Sequence, residues 1–303
     1  MEIASADLRR ARPLLGCFVE IAVSGSPRRL QAAVDGAFSA IAKVHRLMSF
    51  HDPDSDVSRL NQTAAWQPVR VNAWTLRVLQ AALDLHRRSV GIFDVAVAPA
   101  LQARGLLPCR DTSPSPRAAS HATSAAIEFV DGDRVRFRDP GVRIDLGGIA
   151  KGFAVDCAVD VLRGNGVAHG LVNAGGDLRA FGAGIHAIDI RDPRVPERVL
   201  CVLDIQDEAL ASSGGRFDPY RSAEIAAPAI VDPHAGDLVR GAIGASVRAP
   251  SCMMADALTK IVMLAGDRSA EVLSHYRASA LRVAASGEIS VTSDWNGGTS
   301  RAA

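Results

Sequence analysis

Apolar positions at Leu30, Val34, Phe38, Ile41, Val44 and Leu47 recur every three to four residues and predict an amphipathic helix from Pro27 to Met48. Just before it, FVEIAVSG (18–25) alternates as a strand and closes on a Ser-Gly turn. A second helical stripe, AWTLRVLQAALDLHRRSVG (73–91), ends on His86, Arg87, Arg88 and Gly91, the cations and glycine that favour a helix C-terminus. Between the two, SFHDPDSDVSRLN reads as an Asp- and Ser-rich loop with a short turn into Leu60 and Asn61. GIFDVAVAPALQARG (91–105) is apolar with one acid, Asp94.

From 107 to 125 the composition collapses to Ser, Pro, Ala, Thr and Arg, which predicts a mobile surface loop or insertion. IEFVDGDRVRFRDPGVRIDLGG predicts a hairpin about Asp131-Gly132-Asp133, followed by a helix over Ile149–Leu162 that ends at Gly164-Asn165-Gly166. GLVNAGGDLRAFG (170–182) reads as a strand broken at Ala174-Gly175-Gly176, and IHAIDIRDP and RVLCVLDIQDEALASSGG as further strands. AIVDPHAGDL (229–238) holds two turns. SCMMADALTKIVMLAG (251–266) predicts a third helix with Met254, Ala257, Leu258, Ile261 and Leu264 on or near one face. Strands and helices mix irregularly, so the class expected is α+β rather than a regular βαβ series.

Composition narrows the function. A net charge of +1 argues against a nucleic-acid surface, which needs a basic excess. Five scattered cysteines without a C-x-x-C pair suit reduced, mostly buried thiols. No leader-like segment or membrane-length apolar run is visible, so a cytoplasmic protein without membrane insertion is expected. The chemistry gathers in RIDLGGIAKGFAVD (143–156). Asp145, Gly147, Gly148 and Lys151 at the mouth of a helix suit a phosphorylated ligand, with backbone groups and an ammonium near a positive helix end. They suit equally a plain strand–turn–helix joint with Asp145 as cap and Lys151 solvated. Asp256 and Lys260 have the i,i+4 spacing of a helix ion pair, and Asp256 alternatively a metal or phosphate role. His51, His86 and His234 read as surface or helix-end histidines, and Asp232-Pro233 as a turn start.

The order of motifs says more than any one of them. SFHDPDSDVSRLN, GIFDVAVAP, IDLGGIAKGFAVD, LVNAGGDLRAFG, ASSGG, IVDPHAG and ADALTKIVMLAG follow one another in a succession that resembles the ApbE-type flavin transferase family. The resemblance runs from about Leu14 to Gly266 and implies one α+β domain over 1–303 with a deep cleft for FAD. It implies transfer of the FMN half of FAD onto a Thr or Ser hydroxyl of an acceptor protein, for instance a membrane redox subunit, with release of AMP. Leu15 stands where the family has a flavin-contacting methionine, and His51 where it usually has tyrosine. Ile92, Phe93 and Asp94 match its flavin-contacting trio, and Asp145 and Lys151 match FAD-binding positions. Gly175, Gly176 and Ile230 are further cofactor-binding candidates, and Asp232, Asp256 and Lys260 are catalytic ones. Gly148, through its carbonyl, and Asp256, through its carboxylate, match the family's ligands for a metal ion, for which Mg²⁺ is suited.

Three positions depart from the pattern. The family's H-I-I-D-P begins here with Ala229, its D-P-x-T-G carries Ala235, and its metal-binding threonine is Lys260. An ammonium cannot coordinate a metal, so Lys260 either replaces part of the cation's work or pairs with Asp256. The alternatives to transfer are an FAD carrier or sensor, and an FAD pyrophosphatase.

Overall fold

The computed structural model describes residues 6–25, 27–109, 122–214 and 229–295. In chain order these form β1 (Ala6–Leu14), β2 (Cys17–Gly25), α1 (Pro27–Met48), α2 (Asp56–Thr63), β3 (Val69–Arg70), α3 (Ala73–Arg88), α4 (Ala98–Ala103), β4 (Ile127–Val130) and β5 (Arg134–Phe137). They continue with α5 (Ala150–Gly164), β6 (His169–Ala174), β7 (Asp177–Phe181), β8 (His186–Asp192), β9 (Val195–Ile205), β10 (Ala209–Gly214), β11 (Ala242–Ala249), α6 (Cys252–Ala265), α7 (Ala270–His275), β12 (Ser279–Ala284) and β13 (Ile289–Val291). The chain divides into two compact units. The first takes its described residues from Met1–His45, Lys151–Pro228 and Arg240–Ala303, the second from Arg46–Ala150 and Ala229–Val239.

The first unit is built on an antiparallel sheet in the order β1-β2-β6-β7-β10-β11-β12-β13. Because successive strand residues point to opposite faces, β7 sorts its side chains cleanly. Leu178 and Ala180 join a core with Ile190, Leu203, Ile205, Leu210, Leu281, Val283 and Trp295, which seats the β8–β9 hairpin. Asp177 and Arg179 leave by the opposite face, where Arg179 pairs with Asp156 of α5 and Asp177 with Lys151. Helix α6 packs on β10 and β11. The stripe expected on α6 is wider in the structure. Burial takes in Cys252, Ala255, Asp256, Thr259, Val262 and Met263 as well, while Met254 and Leu264 are only half-buried.

Two helices meet backbone to backbone at Gly152 on α5. A Cβ there would lie 2.2 Å from the Cys252 carbonyl oxygen and 2.8 Å from Asp256 Cβ, so only glycine permits the approach. The contact also settles the start of α6. Asp156 accepts hydrogen bonds from the Cys252 and Met253 N–H groups, each at 2.9 Å, and Ser251 Oγ accepts one from Met254 N–H. One helix thus satisfies amides that the other leaves without intrahelical acceptors.

The second unit holds α2, α3, α4 and a three-stranded antiparallel sheet, β3-β5-β4. The stretch read as a loop with a short turn is helical from Asp56. Ser55 caps it by accepting from Ser58 N–H, and Asp56 accepts from Thr75 Oγ and Asn72 N–H. Asn61 holds both backbone groups of Ile144, at 2.7 and 2.8 Å, immediately before Asp145. The expected hairpin about Asp131–Asp133 forms as β4 and β5. Of the loop expected over 107–125, residues 110–121 lie outside the described residues. Its far end is not loose: Ser124 is fully buried and bonded to Asp94. Outside the motif-bearing stretch of about 14 to 266, β1, β12 and β13 belong to the sheet and Trp295 to its core.

Candidate functional site

The first unit gathers Leu15, Lys151, Gly175, Gly176, Asp256 and Lys260 of the candidate residues. Leu15 and Gly16 form a two-residue hairpin turn with φ of 56° and 73°, the left-handed pair that matches strand twist. Leucine tolerates that conformation poorly, so the turn holds an apolar side chain at the tip at some backbone cost. The Gly175–Gly176 turn between β6 and β7 lies against the base of this hairpin, where a Cβ on Gly175 would meet Cys17 Cβ at 2.9 Å.

Four charges sit together behind these turns. The Lys151 ammonium lies 3.1 Å from Asp177 Oδ2, which is buried and makes no hydrogen bond among the described residues. Burial, and then the neighbouring Asp256, push the Asp177 carboxyl up to about 6 against the pull of Lys151. Lys151 is held well above its ordinary value, chiefly by Asp177. Asp256 is fully buried on α6, with Oδ2 accepting from Gly152 N–H at 3.0 Å and Oδ1 paired to the Lys260 ammonium. The i,i+4 ion pair read from the spacing therefore forms. Burial raises the Cys17 thiol despite Lys151 beside it, so no thiolate nucleophile is offered here. The alternative of a solvated Lys151 does not hold, since its ammonium is paired.

This donor set does not fit a resident divalent metal ion. Both Asp256 oxygens are taken, Oδ2 by Gly152 N–H and Oδ1 by the Lys260 ammonium. A dication about 4 Å from the Lys260 ammonium would be repelled by on the order of 8 kcal/mol at an effective dielectric of about 20, twice the value for unit charges.

The second unit holds His51, Ile92, Phe93, Asp94, Asp145, Gly148, Ile230 and Asp232. Phe93 and Asp94 are buried and Ile92 is half-buried. Asp94 accepts from Ala96 N–H at 2.7 Å and from Ser124 N–H and Oγ, and lies 3.2 Å from His86 Nδ1. Burial pushes its carboxyl up, but the hydrogen bonds from His86, Ser124 and Ala96 bring it below its ordinary value. The hydrogen bond to Asp94 in turn raises His86, whose Nδ1 also meets the Phe93 carbonyl at 3.1 Å. His86 is thus a helix-end histidine, but one tied inward. Asp145 closes a short turn by accepting from Gly147 N–H at 3.1 Å, ahead of the half-buried Gly148. Asp232 is likewise a turn former, accepting from His234 and Ala235 N–H, and the Ile230 carbonyl accepts from Val239 N–H. His234 and His86 flank Gly91, where a Cβ would lie 3.1 Å from one ring and 3.7 Å from the other. His51 is exposed, edge-on to Phe50.

Sequence reasoning missed Asp177, Asp156, Arg179 and Ser124 as parts of this chemistry. For Asp177 a signal existed, an acid directly after the Gly-Gly turn at the start of an alternating strand. Ser124 carries none, because its partner lies 30 residues away.

The ApbE family model matches residues 15–284. The chain belongs to the ApbE family. Among curated members, it is 28% identical over 251 residues to the FAD:protein FMN transferase of Vibrio cholerae serotype O1, covering 79% of this chain and 74% of that one. It is 30% identical over 275 residues to that of Rhodobacter capsulatus, covering 86% of this chain and about half, 52%, of that relative. The solved ApbE protein of Thermotoga maritima superposes with a TM-score of 0.84 at 26% identity, over 96% of this chain and 98% of that one. This ApbE-family chain therefore has the α+β fold of its solved relatives. No helix among the described residues is long and apolar enough to cross a membrane.

Proposed function

We propose that this chain is an FAD:protein FMN transferase. The observation that carries the reading is the paired-charge cluster of Lys151, Asp177, Asp256 and Lys260, in a chain whose relatives bear that name. In the reaction an acceptor Thr or Ser oxygen bonds to the FMN phosphorus of FAD. The P–O bond to the AMP half breaks, AMP leaves, and the hydroxyl proton is lost. Negative charge grows on the bridging oxygen as it leaves, and the Lys151 and Lys260 ammoniums are the groups that would oppose it. Leu15 and the Ile92–Asp94 segment serve as flavin-contacting positions, and Gly176, where a Cβ would meet nothing within 4 Å, leaves the backbone approachable by the ligand. Asp145, Ile230 and His51 complete the FAD-contacting set, with Asp232 holding the turn that carries His234. Magnesium forms no part of the reading, because both Asp256 oxygens are already bonded, one to Gly152 N–H and one to the Lys260 ammonium. A membrane redox subunit is the acceptor class that suits the chemistry, and free thiols with balanced charge support a cytoplasmic site of action.

Ala229, Ala235 and Lys260 favour a second reading, an FAD-binding relative that no longer transfers. The test incubates the pure protein with FAD and an acceptor protein bearing a flavinylation Thr, following AMP release and the acceptor's mass. Covalent FMN with equimolar AMP is expected. AMP without covalent flavin would instead make the protein a pyrophosphatase, and FAD bound without AMP a carrier.

A further inference from the structure

We propose that the Lys260 ammonium is the site's built-in cation, occupying the role of a divalent metal ion, so that this chain binds a diphosphate without metal. The inference rests on the FAD reading above. Its ground is the way the four charges are layered. The acids lie at the back, with the Asp256 side chain at 0% exposure and that of Asp177 at 2%, while Lys260 and Lys151 keep 19% and 32%. A site made to hold a cation presents carboxylate oxygens to the incoming ion. This one presents ammoniums and keeps its carboxylates beneath them.

The hydrogen bonds agree. Lys260 Nζ donates to the Asp256 carbonyl oxygen at 2.9 Å and to its Oδ1, and the same carbonyl accepts from Thr259 Oγ at 2.7 Å. Two of the three ammonium protons thus anchor the group and one is left for an outside acceptor. Two acids and two ammoniums already cancel. A bound dication would leave surplus positive charge, whereas an anion is met by two cations whose places are fixed by buried counter-charges.

The test has two arms on the purified full chain. In the first, Mn²⁺ binding to the wild-type protein is measured by electron paramagnetic resonance without nucleotide. No stoichiometric site is expected, and one tightly bound Mn²⁺ per chain overturns the proposal. In the second, ADP, the diphosphate probe, is titrated calorimetrically in EDTA and in Mg²⁺. Equal affinity in both buffers is expected, with a loss of about tenfold or more in Lys260→Met, the scale of one charge-assisted hydrogen bond, and retention in Lys260→Arg. ADP bound only with Mg²⁺, or bound by Lys260→Met as well as by wild type, overturns the proposal. ADP bound in neither buffer removes the diphosphate reading itself and the inference with it. Should Lys260→Met fail to fold, the Mn²⁺ result and the EDTA comparison, both on the wild type, decide alone.

Discussion

Replacing Gly152 by alanine puts one methyl group where two helices share their backbones. The new carbon would stand 2.2 Å from the Cys252 carbonyl oxygen, 2.6 Å from its carbon and 2.8 Å from Asp256 Cβ, so α5 or α6 has to retreat by about 1 Å. Overpacking of that kind costs about 1–3 kcal/mol. The retreat also breaks the 3.0 Å bond from Gly152 N–H to a buried carboxylate, worth about 1.5–3 kcal/mol. Alanine returns about 1 kcal/mol through its helix propensity. The net expectation is a loss of about 1.5–5 kcal/mol, read as a lower urea midpoint at unchanged slope. Gly164→Ala is the control, since a Cβ there meets nothing within 4 Å. If Gly152→Ala unfolds at the same midpoint as Gly164→Ala, the two helices do not pack as described and the reasoning fails.

Two further outcomes concern protons. Asp177 titrates near 6 in the fold against 3.8 unfolded, so the fold binds more protons between those values and stability falls as pH rises through them. Urea titrations from pH 4 to 7 should show wild type losing about 2 kcal/mol relative to Asp177→Asn, and a constant difference would refute the assignment. His86 has a raised value in the fold, so its contribution is complete below its ordinary pKa and fades as pH climbs through the folded one. Wild type should therefore exceed His86→Gln in stability more at pH 5.5 than at pH 8.5, and an equal margin at both would show that the Asp94 contact carries no charge.

The elements legible in the sequence are those whose signals are local. The limits of α1 follow from an unbroken 3.6-residue stripe, the β4–β5 hairpin from Asp-Gly-Asp, and the Asp256–Lys260 pair from spacing along one helix. Strand β1 is hard to see in the sequence because ADLRRARPL is an edge strand whose arginines pair with Glu20 and Asp35, leaving little apolar alternation. The site was half visible for the same reason. Gly147 and Gly148 stand out as an adjacent pair, whereas the glycine at which two backbones meet is Gly152, whose bonded partner Asp256 stands 104 positions on. Asp177 finds Lys151 only through the crossover that lays β7 beneath α5. The turn at Asp232 did follow from its Asp-Pro segment, whereas Asp145, expected as a helix cap, closes a turn of its own ahead of α5.

The alternation along β7 has a consequence for how the gene can change. Asp177 and Arg179 share a parity, and Leu178 and Ala180 share the other. A one-residue slip of β7, should a codon inserted or deleted in the Gly175–Gly176 turn be passed on to the strand, would exchange the two sets, driving a carboxylate and a guanidinium into the wall around Trp295 and an apolar side chain against Lys151. The charges thus pin the register of β7, so a one-residue change of length has to be taken up inside the turn and not along the strand.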